Sequence, residues 1–239
     1  MNNPAVSRLI QSLEYSFKDQ QLLMEALTHR SASSNNNERL EFLGDSILNF
    51  VIAAELFRHY PDLPEGDLSR LRASLVKKDG LVLIAHDLNL GEYLTLGSGE
   101  MKSGGHRRDS IQADAVEAIF GAVYLDGGFE PCQQLILQLY QKQLNNAPDP
   151  ATLKDPKTQL QELLQGRKLP LPSYEILDVS GKSHQQTFQV SCLIDDLSIV
   201  TEAKASSRRK AEQKAALKAI EELQAMFNKP NSAARNVKL

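Results

Sequence analysis

The stretch "NNNERLEFLGDSIL", residues 35–48, combines an apolar helical repeat with three acidic side chains. At about 100° per helical residue, Glu38, Glu41 and Asp45 fall within an arc of roughly 60°, with leucine and isoleucine side chains on the opposite face. An acidic stripe of this kind is most often the solvated face of an amphipathic helix. A hard divalent cation needs more oxygen ligands than one helix can supply, so a second acidic pair elsewhere would favour a metal site.

The segment "SIQADAVEAIFGAVYLD", residues 110–126, supplies such a pair. Asp114 and Glu117 are three residues apart and therefore share one helix face. Small residues, among them Gly44 and Gly121, would let the two helices approach closely. If the acidic stripes face each other, the repulsion between carboxylates requires cations between them, which would be a metal site. From spacing alone, the alternative that the two stripes are independent, solvated helix faces is as well supported as a metal site.

Composition indicates an ordinary globular protein, since 41% of the 239 residues are hydrophobic and 24% are charged. No segment approaches the ~20 consecutive apolar residues of a membrane span, and the first residues do not resemble a signal peptide. We therefore expect a soluble, cytoplasmic protein without a membrane partner. Cys132 and Cys192 lack the spacing of a zinc site or a disulfide framework, which favours buried free thiols.

Charge and proline divide the chain into two parts. Residues 1–150 carry 13 basic and 20 acidic residues, net −7, whereas the remainder carries 14 and 10, net +4. The segment "NNAPDPATLKDP" at the boundary has the composition of a linker. The predicted parts are a helical domain over 1–146, a linker over 147–155, a basic domain over 156–227 and a loose tail over 228–239.

Apolar spacing predicts different folds for the two domains. The first has i, i+3, i+4 repeats throughout, which predicts an all-α domain, and its "GSGEMKSGG" segment at 97–105 is interpreted as a flexible connector. The second begins with a helix at Pro156, continues with the strand-like runs "SYEILDVS", "QTFQVSCLID" and "LSIVTEAK", and ends with a helix to Phe227. The second domain is therefore predicted as α+β, in the order α-β-β-β-α.

Two segments carry a family resemblance. "ERLEFLGDSIL" at 38–48, followed by "GGHRRDSIQADAVEAIFGAVYLDGG" at 104–128, resembles the bacterial ribonuclease III family. The "PEGDLSRLRASLV" and "LGSGEMKSGG" segments are also similar, and the C-terminal half resembles a double-stranded-RNA-binding domain. The resemblance implies a homodimer that cuts both strands of duplex RNA with a divalent metal, usually Mg²⁺ with Mn²⁺ as a substitute, and no other small-molecule cofactor.

The resemblance also implies roles for individual acids. It implies metal ligation by Glu41, Asp114 and Glu117, with Glu117 also catalytic. It makes Asp45 catalytic as well, as the acid that helps position the metal shell or the attacking water. Such carboxylates suit phosphodiester hydrolysis, because bound Mg²⁺ activates water and neutralises charge on the phosphoryl oxygens.

Two further acids, Glu38 and Glu65, are accessory candidates. Glu38 is at least as well explained as an acid that favours the start of a helix. Glu65 has the same alternative, and for it the resemblance implies an accessory role at the catalytic cleft or a dimer contact. The chain departs from the family pattern at His106, where phenylalanine is common, and at Asp109, where glutamate is common.

The C-terminal domain has its own candidates, because a duplex-RNA reader spans ~16 base pairs through several surface patches. Ala203 and Ala205 stand where the family usually has glycines, so the geometry of the turn is not predicted. Glu212 stands where a lysine is common in this domain class, although bacterial members often differ there, so a third phosphate contact is not predicted. The RNA-binding candidates are Thr158, Gln161 and Glu162 on the first helix, His184 in the loop between strands one and two, and Arg208, Arg209 and Lys210 at the start of the last helix.

The resemblance thus implies a metal-dependent endoribonuclease that cuts double-stranded RNA to 5′-phosphate products with short 3′ overhangs, in ribosomal and messenger RNA processing. One alternative is a duplex-RNA-binding protein that does not cut. A binder has no need for mutually repelling carboxylates on two helices, which argues against it. A helical scaffold is the other alternative, and it has no need for the second domain.

Overall fold

A computed structural model describes residues 4–182 and 185–227 of the chain. The chain divides after Leu153 into two compact units. His184 and the predicted loose tail at 228–239 lie outside the described residues.

The first unit is helical, as the apolar spacing predicts. Its longest helix, α3, begins at Glu38, where the acidic stretch begins. The eight helices of its described residues are α1 Pro4–Leu13, α2 Gln20–Ala26, α3 Glu38–His59, α4 Glu65–Val76, α5 Lys78–Asp87, α6 Ser98–Lys102, α7 Asp109–Gly127 and α8 Phe129–Asn145.

Helices α3 and α7 pack against each other at the centre of this unit. Helix α7 has little exposed surface, because Ala115, Ala118 and the larger apolar residues around them are buried. Gly121 lies against the backbone of Leu40, where a Cβ would overlap the carbonyl oxygen. The prediction that small residues let these two helices approach is confirmed, and the approach brings the two acidic stripes into one region.

The connector at 97–105 is not the flexible segment that its glycine content suggested. It forms the short helix α6 and leads into a 3-10 turn over Gly105–Arg107. The backbone N–H of Gly97 donates to Ser31 Oγ at 2.9 Å, and Arg108 pairs with Glu100 at 2.7 Å. The prediction failed because these glycines permit close packing against neighbouring segments, a contact that local composition does not reveal.

The second unit has the predicted α-β-β-β-α order. Helix α9, Pro156–Gln165, is capped by Asp155, whose carboxylate accepts the Lys157 N–H at 2.9 Å. The remaining elements are β1 Ser173–Ser180, β2 Thr187–Ile194, β3 Ile199–Ala205 and α10 Arg208–Phe227.

The three strands form one antiparallel sheet in the order β1-β2-β3. Ala203 pairs with Val190 and Ala205 with Phe188, so both alanines lie in the regular ladder of β3. A second core joins this sheet to the two helices, and it includes Leu160 and Cys192. Both cysteines of the chain are buried and free, as predicted. None of the helices in the described residues is long and apolar enough to cross a membrane.

Candidate active site and RNA-binding surface

The crossing of α3 and α7 brings three carboxylates together. Glu41 on α3 and Asp114 and Glu117 on α7 each place an oxygen so that all three oxygens lie within 4.8 Å of one another. All three side chains are half-buried, so neighbouring protein limits their access to water. A trio of hard oxygen donors at this spacing, with unpaired negative charge, suits a hard divalent cation.

The pKa values of these acids are raised in the absence of a cation. Burial first, and then repulsion from the neighbouring carboxylates, raises the pKa of Glu117 to about 8. Burial and then the charge of Asp114 raise the pKa of Glu41. Burial also raises the pKa of Asp114, although nearby cationic side chains oppose it. These charge interactions are unfavourable, and a bound cation would relieve them.

Asp45 lies one turn beyond Glu41 on α3 and outside this trio. Its side chain is exposed, and its Oδ1 accepts a hydrogen bond from Asn49 Nδ2 at 2.8 Å. Its charge nevertheless acts on the trio, because repulsion from Asp45 is one cause of the raised Glu117 pKa. Asp45 is thus at the solvent edge of the site, free to contact water or substrate.

The accessory candidates occupy different surroundings. Glu38 is exposed at the start of α3, where it pairs with Arg30 at 3.3 Å. Glu65 is exposed in the first turn of α4 and accepts a hydrogen bond from Ser69 Oγ at 2.7 Å. Glu38 therefore borders the acidic site, whereas the contact of Glu65 is within its own helix.

A polar cleft of about 640 Å³ adjoins the trio through Glu41 and Asp114. The lining of the cleft also includes His29, Arg30 and Arg108, cationic or potentially cationic side chains that sequence reasoning did not select. The adjacent pairs His29–Arg30 and Arg107–Arg108 were visible in the sequence, but nothing local placed them beside the acids. An apolar cleft of about 620 Å³ between α5 and α8 contains none of the predicted acids.

On the second unit, Thr158, Gln161 and Glu162 are exposed on α9. Their i, i+3, i+4 spacing places them on one face of the helix. Glu162 also pairs with Lys154. Arg208 and Arg209, with Lys210 after them, are exposed in the first turn of α10, where side-chain charge and the helix dipole both favour an anion.

Glu212, at the position where the sequence suggested a missing phosphate contact, is buried at 7% exposure. One oxygen accepts from Lys157 Nζ at 2.6 Å and the other from Arg208 Nε at 2.8 Å. The acid is therefore not presented to solvent as a repelling charge, but is neutralised inside the domain by two cations.

A helical unit with an acidic cluster beside a polar cleft that also contains two arginines, followed by an α-β-β-β-α domain, defines a nuclease with an RNA-binding module. Comparison with known families agrees with this class. Residues 19–144 match the Ribonuclease-III-like family profile, and residues 156–223 match the double-stranded RNA binding motif. The chain belongs to the ribonuclease III family of double-stranded-RNA endoribonucleases.

Curated relatives extend over nearly the whole chain. It is 58% identical to Ribonuclease 3 of Alkalilimnicola ehrlichii over 212 residues, covering 89% of this chain and 93% of the relative. Ribonuclease 3 of Colwellia psychrerythraea is 52% identical over 239 residues, covering 100% of this chain and 88% of the relative. A solved ribonuclease III nuclease domain from Campylobacter jejuni is similar with a TM-score of 0.57 at 46% identity, covering 62% of this chain and 99% of that one.

Proposed function

We propose that this chain hydrolyses both strands of double-stranded RNA in a reaction that depends on Mg²⁺, with Mn²⁺ as a substitute. The products are 5′-phosphate fragments with short 3′ overhangs, and the natural substrates are ribosomal and messenger RNA precursors in the cytoplasm. The convergence of three carboxylate oxygens within 4.8 Å supports this proposal most directly.

The proposal assigns each acid a role. Glu41, Asp114 and Glu117 hold the cation, which when bound supplies an activated water and neutralises charge on the phosphoryl oxygens. Asp45, exposed at the edge of the trio, orients water for attack. Arg30 and Arg108 in the adjoining cleft contact the RNA phosphates, and Glu38 keeps Arg30 in place through their ion pair.

The working form in this proposal is a homodimer. Phe42, Phe50 and Phe57 are 77%, 60% and 71% exposed and lie along one side of α3. Phe129 of α8 extends this apolar side, with its ring centroid 5.7 Å from that of Phe50. Burying so large a patch of aromatic surface favours association. A solved nuclease domain of the Campylobacter jejuni enzyme is described as having a region involved in dimer formation.

Binding and cleavage are divided between the units in this proposal. The C-terminal unit holds duplex RNA through Thr158, Gln161 and Glu162 on α9, through the His184 loop and through the basic first turn of α10. A fragment that ends at Leu153 therefore cuts duplex RNA weakly, and best at low salt.

The test is incubation of the full chain with labelled duplex RNA, in Mg²⁺, in Mn²⁺ or in chelator, with single-stranded RNA of the same sequence as the control. Cleavage of the duplex alone, abolished by chelator, is expected. Tight binding of duplex RNA without cleavage in either metal would identify a binding protein. Cleavage by the 1–153 fragment, shown to be folded, tests the division between units.

A further inference from the structure

The N-terminal ends of α9 and α10 are joined by a network of charged and polar side chains. Glu212 of α10 accepts from Lys157 of α9, and Gln213 of α10 donates to Asp155 Oδ2 at 2.7 Å. Asp155 also caps α9 through the Lys157 N–H. Arg209 of α10 also pairs with Asp155, at 3.8 Å. Three side chains of α10 are thus tied to two at the start of α9, which fixes the relative position of the helix ends that carry the proposed RNA contacts.

Glu212 is the centre of this network. Its two oxygens are used by different cations, Lys157 Nζ at 2.6 Å and Arg208 Nε at 2.8 Å. Burial alone would raise the pKa of Glu212, but these hydrogen bonds hold it below its usual value. The carboxylate is therefore charged, buried and satisfied by donors from both helices.

Arg208 contacts Glu212 with only part of its guanidinium. Its side chain is 60% exposed, and its Nε is the atom that pairs with Glu212. A guanidinium has five N–H donors in one plane, so fixing Nε aims the terminal nitrogens without using them. Among the described residues, these terminal nitrogens form no ion pair with another acid.

We infer that Glu212 is a positioning residue for duplex-RNA binding: its buried carboxylate orients Arg208 so that the outer guanidinium N–H groups meet a phosphate of the RNA backbone. This inference rests on the proposed RNA binding by the C-terminal unit. Ordering the arginine before binding lowers the entropy lost when the phosphate contact forms. A buried acid thus assists phosphate binding through its neighbour.

The opposite expectation follows if Glu212 only adds negative charge near the RNA. Its removal would then strengthen binding, since repulsion toward phosphate would fall. A double-mutant cycle distinguishes positioning from charge repulsion. If Glu212 acts by positioning Arg208, its substitution has an effect only while Arg208 is present.

The experiment uses the full chain in chelator, so that a labelled duplex of about 30 base pairs, long enough for a ~16-base-pair footprint, is bound without being cut. Affinity is measured for the wild type, Glu212→Gln, Arg208→Ala and the double variant. We expect Glu212→Gln to weaken binding roughly threefold to tenfold, the size of one typical hydrogen bond in its net contribution. In the Arg208→Ala background the same change should have little effect.

Glu221→Gln is the matched control. It removes the same charge from an exposed position of the same helix, away from the network at the helix start. Its affinity should equal or slightly exceed that of the wild type. Thermal unfolding of each variant shows whether the domain is folded, and a purely structural role for Glu212 would lower stability without this dependence on Arg208.

Tighter binding by Glu212→Gln, or equal weakening in both backgrounds, would overturn the inference while leaving RNA binding intact. So would an unchanged affinity of Arg208→Ala. Failure of the wild type to bind duplex RNA would overturn the proposed function itself. If Glu212→Gln unfolds the domain, the affinity of Arg208→Lys is measured instead, because Arg208 is exposed. Lysine keeps the positive charge but lacks the planar set of N–H donors of the guanidinium. Weakening close to that of Arg208→Ala supports positioning, and wild-type affinity contradicts it.

Discussion

Gly44 of α3 lies directly against the backbone carbonyl of Glu117 on α7, so closely that a Cβ at residue 44 would overlap the carbonyl oxygen and carbon. This contact sets the distance between the two acidic stripes. Glu41 is one turn before Gly44 on the same helix, and Glu117 is itself a member of the carboxylate trio. The glycine is therefore the reason that carboxylates from two helices converge.

Gly44→Ala should separate the helices and destabilise the first unit by about 2 kcal/mol or more, the upper range for overpacking a core. Gly99→Ala is the control, because Gly99 is also helical but a Cβ there meets nothing within 4 Å. Denaturant unfolding measures both. Equal stability of Gly44→Ala and the wild type would mean that the helices can move apart without cost.

Glu117→Gln tests the carboxylate trio. It preserves shape but removes one negative charge, so metal affinity should fall and cleavage should decrease by orders of magnitude. Duplex-RNA binding in chelator should persist or improve, and the stabilisation by Mg²⁺ in thermal unfolding should shrink. Glu130→Gln, an exposed position in the first turn of α8, is the control. If Glu117→Gln cleaves at near the wild-type rate in saturating Mg²⁺, Glu117 is not part of the catalytic site.

Stability of the metal-free protein should depend on pH through Glu117. Its folded pKa, about 8, lies above its ordinary value of 4.5, so the folded state binds more protons than the unfolded state between these values. The free energy of unfolding should therefore decrease as pH rises from about 5 to 8. Urea unfolding in chelator across this range measures the decrease, which should be smaller in Glu117→Gln. An identical pH profile in both proteins would contradict the raised pKa.

Arg208→Ala combined with Arg209→Ala should weaken binding to all duplex RNAs alike. Each lost phosphate contact should reduce the slope of log affinity against log salt by about 0.9, if the value for duplex DNA applies to RNA. Affinities for duplexes of several sequences, measured at a series of salt concentrations, provide the test. An unchanged slope would mean that neither arginine contacts phosphate.

Local pattern was sufficient for the fold class. Apolar repeats of about 3.6 and about 2 residues predicted the long helices and all three strands, because burial of one face dictates those periods. The pattern failed at 97–105, where glycines suggested flexibility and the chain instead forms α6. Tight packing of Gly97 against Ser31 decides that region, and this contact spans 66 residues.

The sequence by itself determined that two helices carry acids on one stripe each, that small residues accompany them, and that a basic α-β-β-β-α domain follows. Only the tertiary structure decided that the stripes meet, because the close approach of Gly44 to Glu117 joins two segments that are far apart in the chain. It also placed Arg30 and Arg108 beside the acids and turned Glu212 inward to Lys157 and Arg208. Charge interactions act through space, so the neighbours that set a side chain's role are not its neighbours in sequence.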